Sequence, residues 1–496
     1  MSIKSFFAKI YARSVYKKAT KWMQNPVETQ EKVFQKLISE GASTVFGKDH
    51  LFSEINDHAD FCNSVNITDY EGLKPYIERV VKGEENILWE GKPIYFAKTS
   101  GTTSGAKYIP ITKDSIPNHI DGAKNALLFY IHETGKTDFV NGKMIFLQGS
   151  PVLEEKHGIK FGRLSGIAAH YVPSYLQKNR LPKWETNCIE DWETKVDAIV
   201  RETQKEDMRL ISGIPSWVQM YFEKLVQVSG KPVGELFANF DLFVYGGVNY
   251  EPYRTKFEKL IGRKVDSIEL FPASEGFFAF QDSQKEKGML LLLDAGIFYE
   301  FVKAEEFFNE NARRYTIGEV ELQVNYVLII STNAGLWAYN IGDTVMFTSL
   351  DPYRIVVTGR IKHYISAFGE HVIGKEVELA LQKALENTGV IVNEFTVAPQ
   401  VNPETGLPYH EWFIEFEKEP ENMEYFSLAI DNELRQQNVY YDDLIKGNVL
   451  QVLKIKKVPV NGFQEYMKSI GKLGGQNKLP RLSNDRKIVD QLKTKK

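Results

Sequence analysis

The densest group of phosphate-binding residue types is the run Thr99–Lys107, TSGTTSGAK, which follows a short β-like segment. Glycines allow turns whose N–H groups point inward, and hydroxyls add further donors, so such a loop suits phosphate oxygens. It is not a Walker A loop, because that motif needs Gly where Ala106 stands and Ser or Thr where Tyr108 stands. Taken alone, the run is equally compatible with an exposed polar turn.

Two acidic motifs lie next to predicted strands. Glu275, in FPASEGF (271–277), follows the strand at 268–270, and a carboxylate at such a junction is well placed to hold Mg²⁺ beside phosphates. Asp343, in YNIGD (339–343), leads into another strand and is suited to accept hydrogen bonds from ribose hydroxyls. An ordinary solvent-facing turn is the alternative for each motif in isolation.

A fourth motif is the glycine-rich segment at 471–481, GKLGGQNKLPR. Flexible glycines before Lys478 would let this lysine enter a cleft as a point charge for phosphate, and a disordered basic tail is the alternative. The sequence has no G-x-S-x-G elbow, no G-x-G-x-x-G after a strand, and no nucleophile motif around Cys62 or Cys188. Hydrolase and dehydrogenase functions therefore lack their usual support.

The composition is that of an ordinary globular protein. The chain has 496 residues, 43% hydrophobic and 25% charged, with a net charge of −4, which excludes disordered, collagen-like and coiled-coil classes and disfavours a nucleic-acid binder. Two cysteines cannot form a disulfide framework or a four-ligand zinc site, which favours a reducing compartment. With no signal peptide and no apolar run of about 20 residues, we expect a cytoplasmic protein without a transmembrane segment.

The first 25 residues predict a basic amphipathic helix. Apolar residues recur at near-helical spacing, and lysines and an arginine lie between them; Pro26 ends the segment, and a second helix ends at Gly41. We expect this first helix to dock onto the main body by its apolar face. Peripheral membrane contact through residues 1–25 is the alternative.

The elements that must position these motifs have an α/β order. From about residue 90, short β-like runs alternate with helical stretches, and after residue 288 only strands are predicted. Beyond 359–362 the order is helix, strand, strand, a long helix at 423–445, strand and short helix. We therefore predict a large N-terminal α/β domain (1–358) with an attached β-rich subdomain, a hinge at 359–362, and a smaller, mobile α+β C-terminal domain (363–496).

In this order, the motifs resemble those of the adenylate-forming enzyme superfamily, and within it the acyl acid amido synthetase family. That family contains the plant auxin- and jasmonate-conjugating enzymes and their bacterial relatives. The resemblance rests on FAKTSGTTSGAKYIPIT (96–112), FPASEGF (271–277), YNIGD (339–343), TGRIKHYISAFGEHV (358–372) and QNKLPR (476–481), and FGKDHLF (46–52) with the residues after it resembles the family's N-terminal region. Each string is weak alone, but five in this order are specific.

The resemblance implies a ligase that uses ATP and Mg²⁺ on small-molecule substrates. A carboxylic acid would attack the α-phosphate of ATP to give an acyl-adenylate and pyrophosphate, and the amine of an amino acid would then displace AMP. The catalytic residues implied are Lys478, Glu275 and Thr102, with Glu275 as the metal ligand. The implied ATP-binding residues are Thr99, Ser100, Gly101, Thr102 and Thr103 at the phosphates; Tyr245, Gly246, Gly247, Ala273 and Ser274 at the adenine; and Tyr339, Asp343 and Arg360 at the ribose or phosphates.

The chain departs from the family pattern at two positions. Asn340 stands where the family often has arginine, and this replacement removes one polar contact. Thr99 stands where the family more often has serine, and it keeps the hydroxyl. The acyl pocket is not marked by any motif. An acyl-CoA synthetase with the same adenylation step, or a non-catalytic nucleotide-binding protein, are the alternative functions.

Overall fold

The fold is described from a computed structural model of the chain. It describes residues 2–102, 105–172, 177–247, 250–310, 312–361, 364–365, 367–370, 372–386, 388–470 and 479–492. Within these ranges it describes the side chains of all residues except 100–102, 105–106, 216, 251–253, 255, 359–360, 364, 373 and 375.

Helices and strands alternate along the described chain. The helices are α1 (Ile3–Met23), α2 (Pro26–Gly41), α3 (Val45–Asp49), α4 (His58–Ser64), α5 (Tyr70–Val81), α6 (Ile116–Thr134), α7 (Leu164–Ala169), α8 (Trp184–Asn187), α9 (Trp192–Thr203), α10 (Pro215–Ser229), α11 (Val233–Leu236), α12 (Glu251–Ile261), α13 (Gly374–Leu385), α14 (Met423–Gln437), α15 (Val439–Lys446) and α16 (Gly462–Ser469). The strands are β1 (Tyr95–Thr102), β2 (Gly105–Ile111), β3 (Lys143–Phe146), β4 (Glu154–Lys156), β5 (Ile159–Gly162), β6 (Arg180–Leu181), β7 (Met208–Ser212), β8 (Leu242–Gly246), β9 (Asp266–Ala273), β10 (Gly276–Phe280), β11 (Met289–Leu291), β12 (Ile297–Lys303), β13 (Asn325–Thr332), β14 (Tyr339–Leu350), β15 (Tyr353–Arg360), β16 (Tyr364–Ile365), β17 (Val372–Ile373), β18 (Ile391–Gln400), β19 (Tyr409–Lys418) and β20 (Lys454–Val458).

The large sheet unites the α/β part and the β-rich part of the N-terminal domain. Its order is β12-β13-β14-β15-β11-β10-β9-β8-β7-β3-β6, and β6, β3, β7, β8 and β9 run parallel while the strands from β9 to β12 pair antiparallel. A four-stranded sheet, β2-β1-β5-β4, lies beside it. The predicted β-rich subdomain is therefore continuous with the main sheet.

The predicted first helix docks on the body as expected. One face of α1 buries Ser5, Ala12, Ala19 and Trp22, and contacts α6, where Tyr16 stacks on His132 with ring centroids 3.9 Å apart. Within the described residues, no helix is both long enough and apolar enough to cross a membrane.

The C-terminal unit is a three-stranded sheet, β18-β19-β20, covered by helices. The long helix predicted over 423–445 is instead two helices, α14 and α15, because Asn438 ends the first in an extended conformation and caps the second by accepting a hydrogen bond from the Tyr441 N–H. A hydrophobic cluster runs from α9, α10 and β7–β8 of the large domain into α13–α15 and β18–β19 of this unit. The two parts therefore share packed apolar surface in this structure.

Candidate functional site

Glu275 lies on a two-residue turn at the carboxyl end of β9. Ala273 and Gly276 pair across this turn, so Ser274 and Glu275 form its tip. The carboxyl ends of parallel strands are where ligands bind in open α/β sheets. A carboxylate is thus held at the expected edge by backbone pairing on both sides.

A buried asparagine from α6 fixes this hairpin. The Asn118 side chain donates to the Phe277 carbonyl at 2.9 Å and accepts from the Phe277 N–H at 2.7 Å. Gly122, one turn later, lies so close to the Phe277 ring that a Cβ there would be 2.4 Å from its Cδ1 atom. Neither residue belongs to a motif, and only the fold reveals that they brace the turn.

The residues predicted for adenine lie on the neighbouring strand. Gly246 ends β8 and pairs with Leu270 of β9, and a Cβ at Gly246 would lie 2.5 Å from the Leu270 carbonyl oxygen. Gly247 has a φ of 82°, in the left-handed region that favours glycine. Tyr245 precedes them and is buried against Phe243 and Tyr250. Tyr245 and Gly246 therefore lie at the carboxyl end of β8, next to β9, which continues three residues beyond Leu270 to Ala273.

The hydroxyl-rich run begins within a strand and not in a free loop. β1 extends to Thr102, which pairs with Gly105 of β2, and its register shifts between Thr99 and Thr102. Ser100, Gly101 and Thr102 are described as backbone only, and Thr103 lies outside the described residues. Among the hydroxyl-bearing residues of this run, Thr99 has a described side chain.

A tyrosine from the C-terminal unit reaches the start of this run. The Tyr440 hydroxyl, on α15, donates to the Lys98 carbonyl and hydrogen-bonds with the Thr99 side chain. Burial raises the pKa of Tyr440 to about 12, and the nearby Glu275 carboxylate adds to the shift, whereas Arg163 opposes it. The contact therefore joins Thr99 to a residue that no motif marked, and the charge of Glu275 acts on the same tyrosine from farther away.

Arg163 joins the two parts of the chain beside this contact. It precedes α7, its guanidinium lies 5.0 Å from the centroid of the Tyr440 ring, and it forms an ion pair with Asp443 one turn further along α15. Arginine suits such a position because its planar group can stack and pair with a carboxylate at once. Tyr440, Asp443 and Arg163 are hereafter called the interdomain clamp.

Asp343 and Arg360 meet across the β14–β15 ladder. They are direct Cα partners, so the residue predicted for ribose and the residue predicted at the hinge are neighbours, although the Arg360 side chain lies outside the description. Asn340, where the family often has arginine, accepts a hydrogen bond from the Gly342 N–H at 2.8 Å, and Gly342 has a φ of 88°. Asn340 thus shapes the bulge that presents Asp343.

The remaining predicted residues have different outcomes. Tyr339 is buried within the hydrophobic core at the start of β14, where Thr68 bridges to it. Lys478 lies outside the described residues, whereas Leu479 and Pro480 after it contact the sheet of the C-terminal unit. The structure brings the predicted residues together as two groups, one at the β8–β10 turns with Thr99 and one at β14–β15.

A second cluster of potential ligands lies elsewhere in the large domain. His58 Nε2 is 2.7 Å from Glu300 Oε1 and 3.4 Å from Cys62 Sγ, and both Glu300 oxygens also accept hydrogen bonds from Arg314 at 2.7 and 2.8 Å. Burial opposes ionisation of Glu300, but Arg314 and His58 outweigh it and hold the pKa of Glu300 below its ordinary value. Because Arg314 already pairs with the carboxylate, the cluster is a buried ion-pair network.

Three domain models of one family together match most of the chain, in the order N-terminal, central and C-terminal. The GH3 family N-terminal domain matches residues 15–184, the GH3 family central domain matches 290–360, and the GH3 family C-terminal domain matches 375–487. The C-terminal match begins within α13, close to the start of the predicted second domain.

Similar curated proteins are plant enzymes. A jasmonoyl–L-amino acid synthetase of Nicotiana attenuata is 29% identical over 136 residues, which is 27% of this chain and 23% of that enzyme's length. An indole-3-acetic acid-amido synthetase of Arabidopsis thaliana is 20% identical over 556 aligned positions, covering 93% of this chain and 90% of that enzyme.

Two solved structures show that the fold is shared over nearly the whole chain. The acyl acid amido synthetase AtGH3.15, in complex with 2,4-DB, superposes with a TM-score of 0.62 at 16% identity and covers 97% of this chain and 95% of its own. A 2-hydroxyisobutyryl-CoA ligase superposes with a TM-score of 0.57 at 14% identity, covering 93% and 91%.

Proposed function

The chain belongs to the GH3 family, and from that premise we propose that it is an ATP-dependent acyl acid amido synthetase acting in the cytoplasm. It would join a small carboxylic acid to the amine of an amino acid. The acid's carboxylate attacks the α-phosphate of ATP and pyrophosphate leaves; the amine then attacks the acyl carbon and AMP leaves. The observation that carries the proposal is that Tyr440 hydrogen-bonds with Thr99 and also lies within the electrostatic reach of Glu275, so one tyrosine neighbours two residues of separate motifs.

The phosphate part of the site is assigned to β1 and the β9–β10 turn. Thr99, Ser100, Gly101, Thr102 and Thr103 would bind the phosphates of ATP. Glu275 would hold Mg²⁺, and the fit is supported by a carboxylate on a two-residue turn whose flanking residues are paired, within electrostatic reach of the tyrosine that hydrogen-bonds with Thr99. The metal would supply charge neutralisation at the phosphate oxygens.

The nucleoside part is assigned to three neighbouring strands. Tyr245–Gly247 and Ala273–Ser274 would flank the adenine, a placement supported by the pairing of β8 with β9. Asp343 would accept hydrogen bonds from the ribose, and Arg360, its partner across β14–β15, would contact ribose or phosphate. Tyr339 would support this group from the core.

The second domain is assigned a moving role. We place the hinge at 359–362 and the mobile unit at 363–496, with Lys478 entering the site to stabilise charge during adenylation. Tyr440 touches the predicted phosphate-binding run in the present arrangement, so this arrangement suits the step after pyrophosphate has left. The interdomain clamp would then open before the next ATP binds.

Acid-dependent ATP–pyrophosphate exchange tests the first half-reaction. We expect exchange with at least one acid from a panel of aromatic, alkyl and keto acids, and a loss of about 100-fold or more in Glu275→Gln and Lys478→Ala. Glu286→Gln and Lys487→Ala, at surface positions, serve as matched controls and should retain exchange. Absence of exchange with every acid would contradict the proposal.

The nature of the acceptor needs a separate measurement. With the best acid, products formed from an amino-acid pool and from coenzyme A are compared by mass spectrometry. We expect the amide; a thioester alone would support the acyl-CoA synthetase alternative, and ATP binding without AMP release would support a non-catalytic protein.

A further inference from the structure

Helix α1 has an outer face opposite its docked face. The docked face is fixed by Tyr16, which contacts His132 and Phe129 of α6, and by Ser2 and Ser5, which hydrogen-bond with Asn141. The helix is therefore held rigidly on the body. Its outer face has no part in the site described above.

The first half of the outer face is apolar and exposed. Ile3, Phe6, Phe7 and Ile10 follow the i, i+3, i+4, i+7 spacing of a single helical stripe. Between 47% and 78% of each residue's surface is exposed. Single exposed apolar residues are common, but four on one stripe of a docked helix form a contiguous patch.

The second half of the same face is cationic. Arg13, Lys17, Lys18 and Lys21 are all exposed, and with Lys4 and Lys9 the helix carries six cations and no acidic residue. Among the described residues, none of the six forms an ion pair. The chain as a whole is acidic, with a net charge of −4, so this positive charge is concentrated locally.

We propose that α1 is an interfacial helix that docks the folded protein on an anionic lipid bilayer. The apolar stripe enters the boundary between headgroups and acyl chains, and Arg13 to Lys21 contact headgroup phosphates. Because α1 is already folded and docked, binding requires no ordering of the chain. An interfacial helix differs from a spanning helix, and its apolar stripe is far too short to cross a bilayer.

Charge complementarity selects this occupant over two others. A second copy of the chain would bring two helices with six cations each and no acids into one interface, which is repulsive. A nucleic acid would match the cations but leave Ile3, Phe6 and Phe7 exposed. An anionic bilayer offers acyl chains to the apolar half of the face and headgroup phosphates to the cationic half.

Vesicle flotation tests the proposal on the full-length protein. Vesicles of phosphatidylcholine with about 30% phosphatidylglycerol are compared with pure phosphatidylcholine, at low salt and at about 0.5 M salt. We expect binding to the anionic vesicles at low salt and at least tenfold less binding in either other condition. Phe6→Ser/Phe7→Ser should lower partitioning about 100-fold, and Lys17→Gln/Lys18→Gln/Lys21→Gln about 100-fold.

Matched controls separate docking from general stickiness. Phe308→Ser removes an aromatic side chain that is 72% exposed elsewhere, and Lys231→Gln/Lys259→Gln/Lys285→Gln removes three exposed charges; both should bind like the parent chain. Circular dichroism and thermal unfolding confirm that each variant is folded. The proposal is overturned by absence of vesicle binding, by binding insensitive to the Phe6/Phe7 change, by a dimer that this change dissociates, or by binding to DNA alone.

Discussion

Two arginine–carboxylate pairs in this protein have the same chemistry in opposite surroundings. Arg314 and Glu300 lie inside the large domain with side chains 7% and 0% exposed. Arg163 and Asp443 join the two domains with side chains 35% and 45% exposed. The first pair is bidentate and includes His58, whereas the second includes a stacked Tyr440 ring.

The difference in burial distinguishes an ion pair that fixes the fold, Arg314–Glu300, from an ion pair that can open, Arg163–Asp443. A buried charge without its partner lowers the stability of the fold by several kcal/mol (about 3–5), so the Arg314–Glu300 pair holds β12 and α4 in one arrangement. A half-exposed pair gains little because water and salt compete for both charges. The Arg163–Asp443 pair can therefore break and form again with a small change in free energy, as the proposed movement of the C-terminal unit requires.

The largest expected effect is at Arg314. Arg314→Met leaves the buried Glu300 carboxylate with only His58 and the longer contact from the Cys62 thiol, and it also removes the hydrogen bond to the Val65 carbonyl. We therefore expect the free energy of unfolding to fall by about 3–5 kcal/mol. Urea denaturation measures the change. Arg313→Met is the matched control, because Arg313 is mostly exposed and pairs with Glu319 at the surface, and we expect a loss of about 1 kcal/mol or less. Equal losses of stability in the two variants would contradict the proposed difference between a buried and an exposed arginine–carboxylate pair.

The next largest effect is a pH dependence from His58. Burial alone would lower the pKa of His58, but hydrogen bonds to Cys62 and Glu300 and the Glu300 charge raise it to about 9. Since this is above the ordinary value of 6.5, protonated His58 stabilises the fold fully below about pH 6.5, and the contribution is lost as the pH rises through 9. The stability difference between the parent chain and His58→Gln should shrink by about 3 kcal/mol from pH 6 to pH 10.

A histidine with the opposite shift provides the control. Burial, with Arg13 nearby, lowers the pKa of His132, so its neutral form is favoured in the folded chain. The difference between the parent chain and His132→Gln should therefore grow, not shrink, as the pH rises through the ordinary histidine range. The same sign for both histidines would contradict the buried-network interpretation.

The candidate site residues that the sequence indicates lie in continuous motifs next to or within strands. Gly246 ends β8 and Glu275 follows β9, whereas Thr99 lies inside β1. The order of strands in the sheet brings β8 next to β9, as the α/β pattern indicates. The sequence does not indicate that β1 extends through Thr102, because glycines and hydroxyls favour a loop and the pairing with β2 is visible only in the fold. Asn438 similarly divides a helix whose apolar spacing continues without a break.

The supporting residues could not be predicted, because long-range packing brings them to the site. Asn118 meets Phe277 across 159 residues, and Tyr440 meets Lys98 across 342. Asparagine in a helix and tyrosine at a helix start carry no periodic signal that indicates a distant partner. Gly122 gives a partial signal, since glycine inside a helix is unfavourable unless close packing requires it.

A smaller effect is expected at the exposed pair of the clamp. A double-mutant cycle with Arg163→Met and Asp443→Asn should give a coupling energy of about 0–1 kcal/mol, and about 0.5 M salt should reduce it further. Both properties follow from the partial exposure of the two side chains. A coupling above about 2 kcal/mol would mean that the two domains are locked by this pair and would contradict a low-cost opening.

A similarly small effect on stability, and the most specific effect on function, is expected at Tyr440. Tyr440→Phe keeps the stacked ring but removes the hydroxyl that contacts Lys98 and Thr99, so the free energy of unfolding should fall by only about 0.5–1.5 kcal/mol. Tyr425→Phe, on the exposed face of α14, controls for loss of a hydroxyl. Both variants are compared in ATP–pyrophosphate exchange and in amide formation.

The ratio of the rate of amide formation to the rate of ATP–pyrophosphate exchange shows whether the Tyr440–Thr99 contact affects one half-reaction or only supports the structure. In the present arrangement the Tyr440 hydroxyl hydrogen-bonds with Thr99, a residue proposed for the ATP phosphates, so the two partners compete for the same side chain. Loss of the hydroxyl should therefore leave exchange unchanged or raise it, while amide formation falls severalfold because the arrangement suited to the second step is less populated. If exchange and amide formation fell together, Tyr440 would serve only to support β1, and the clamp would not separate the two steps.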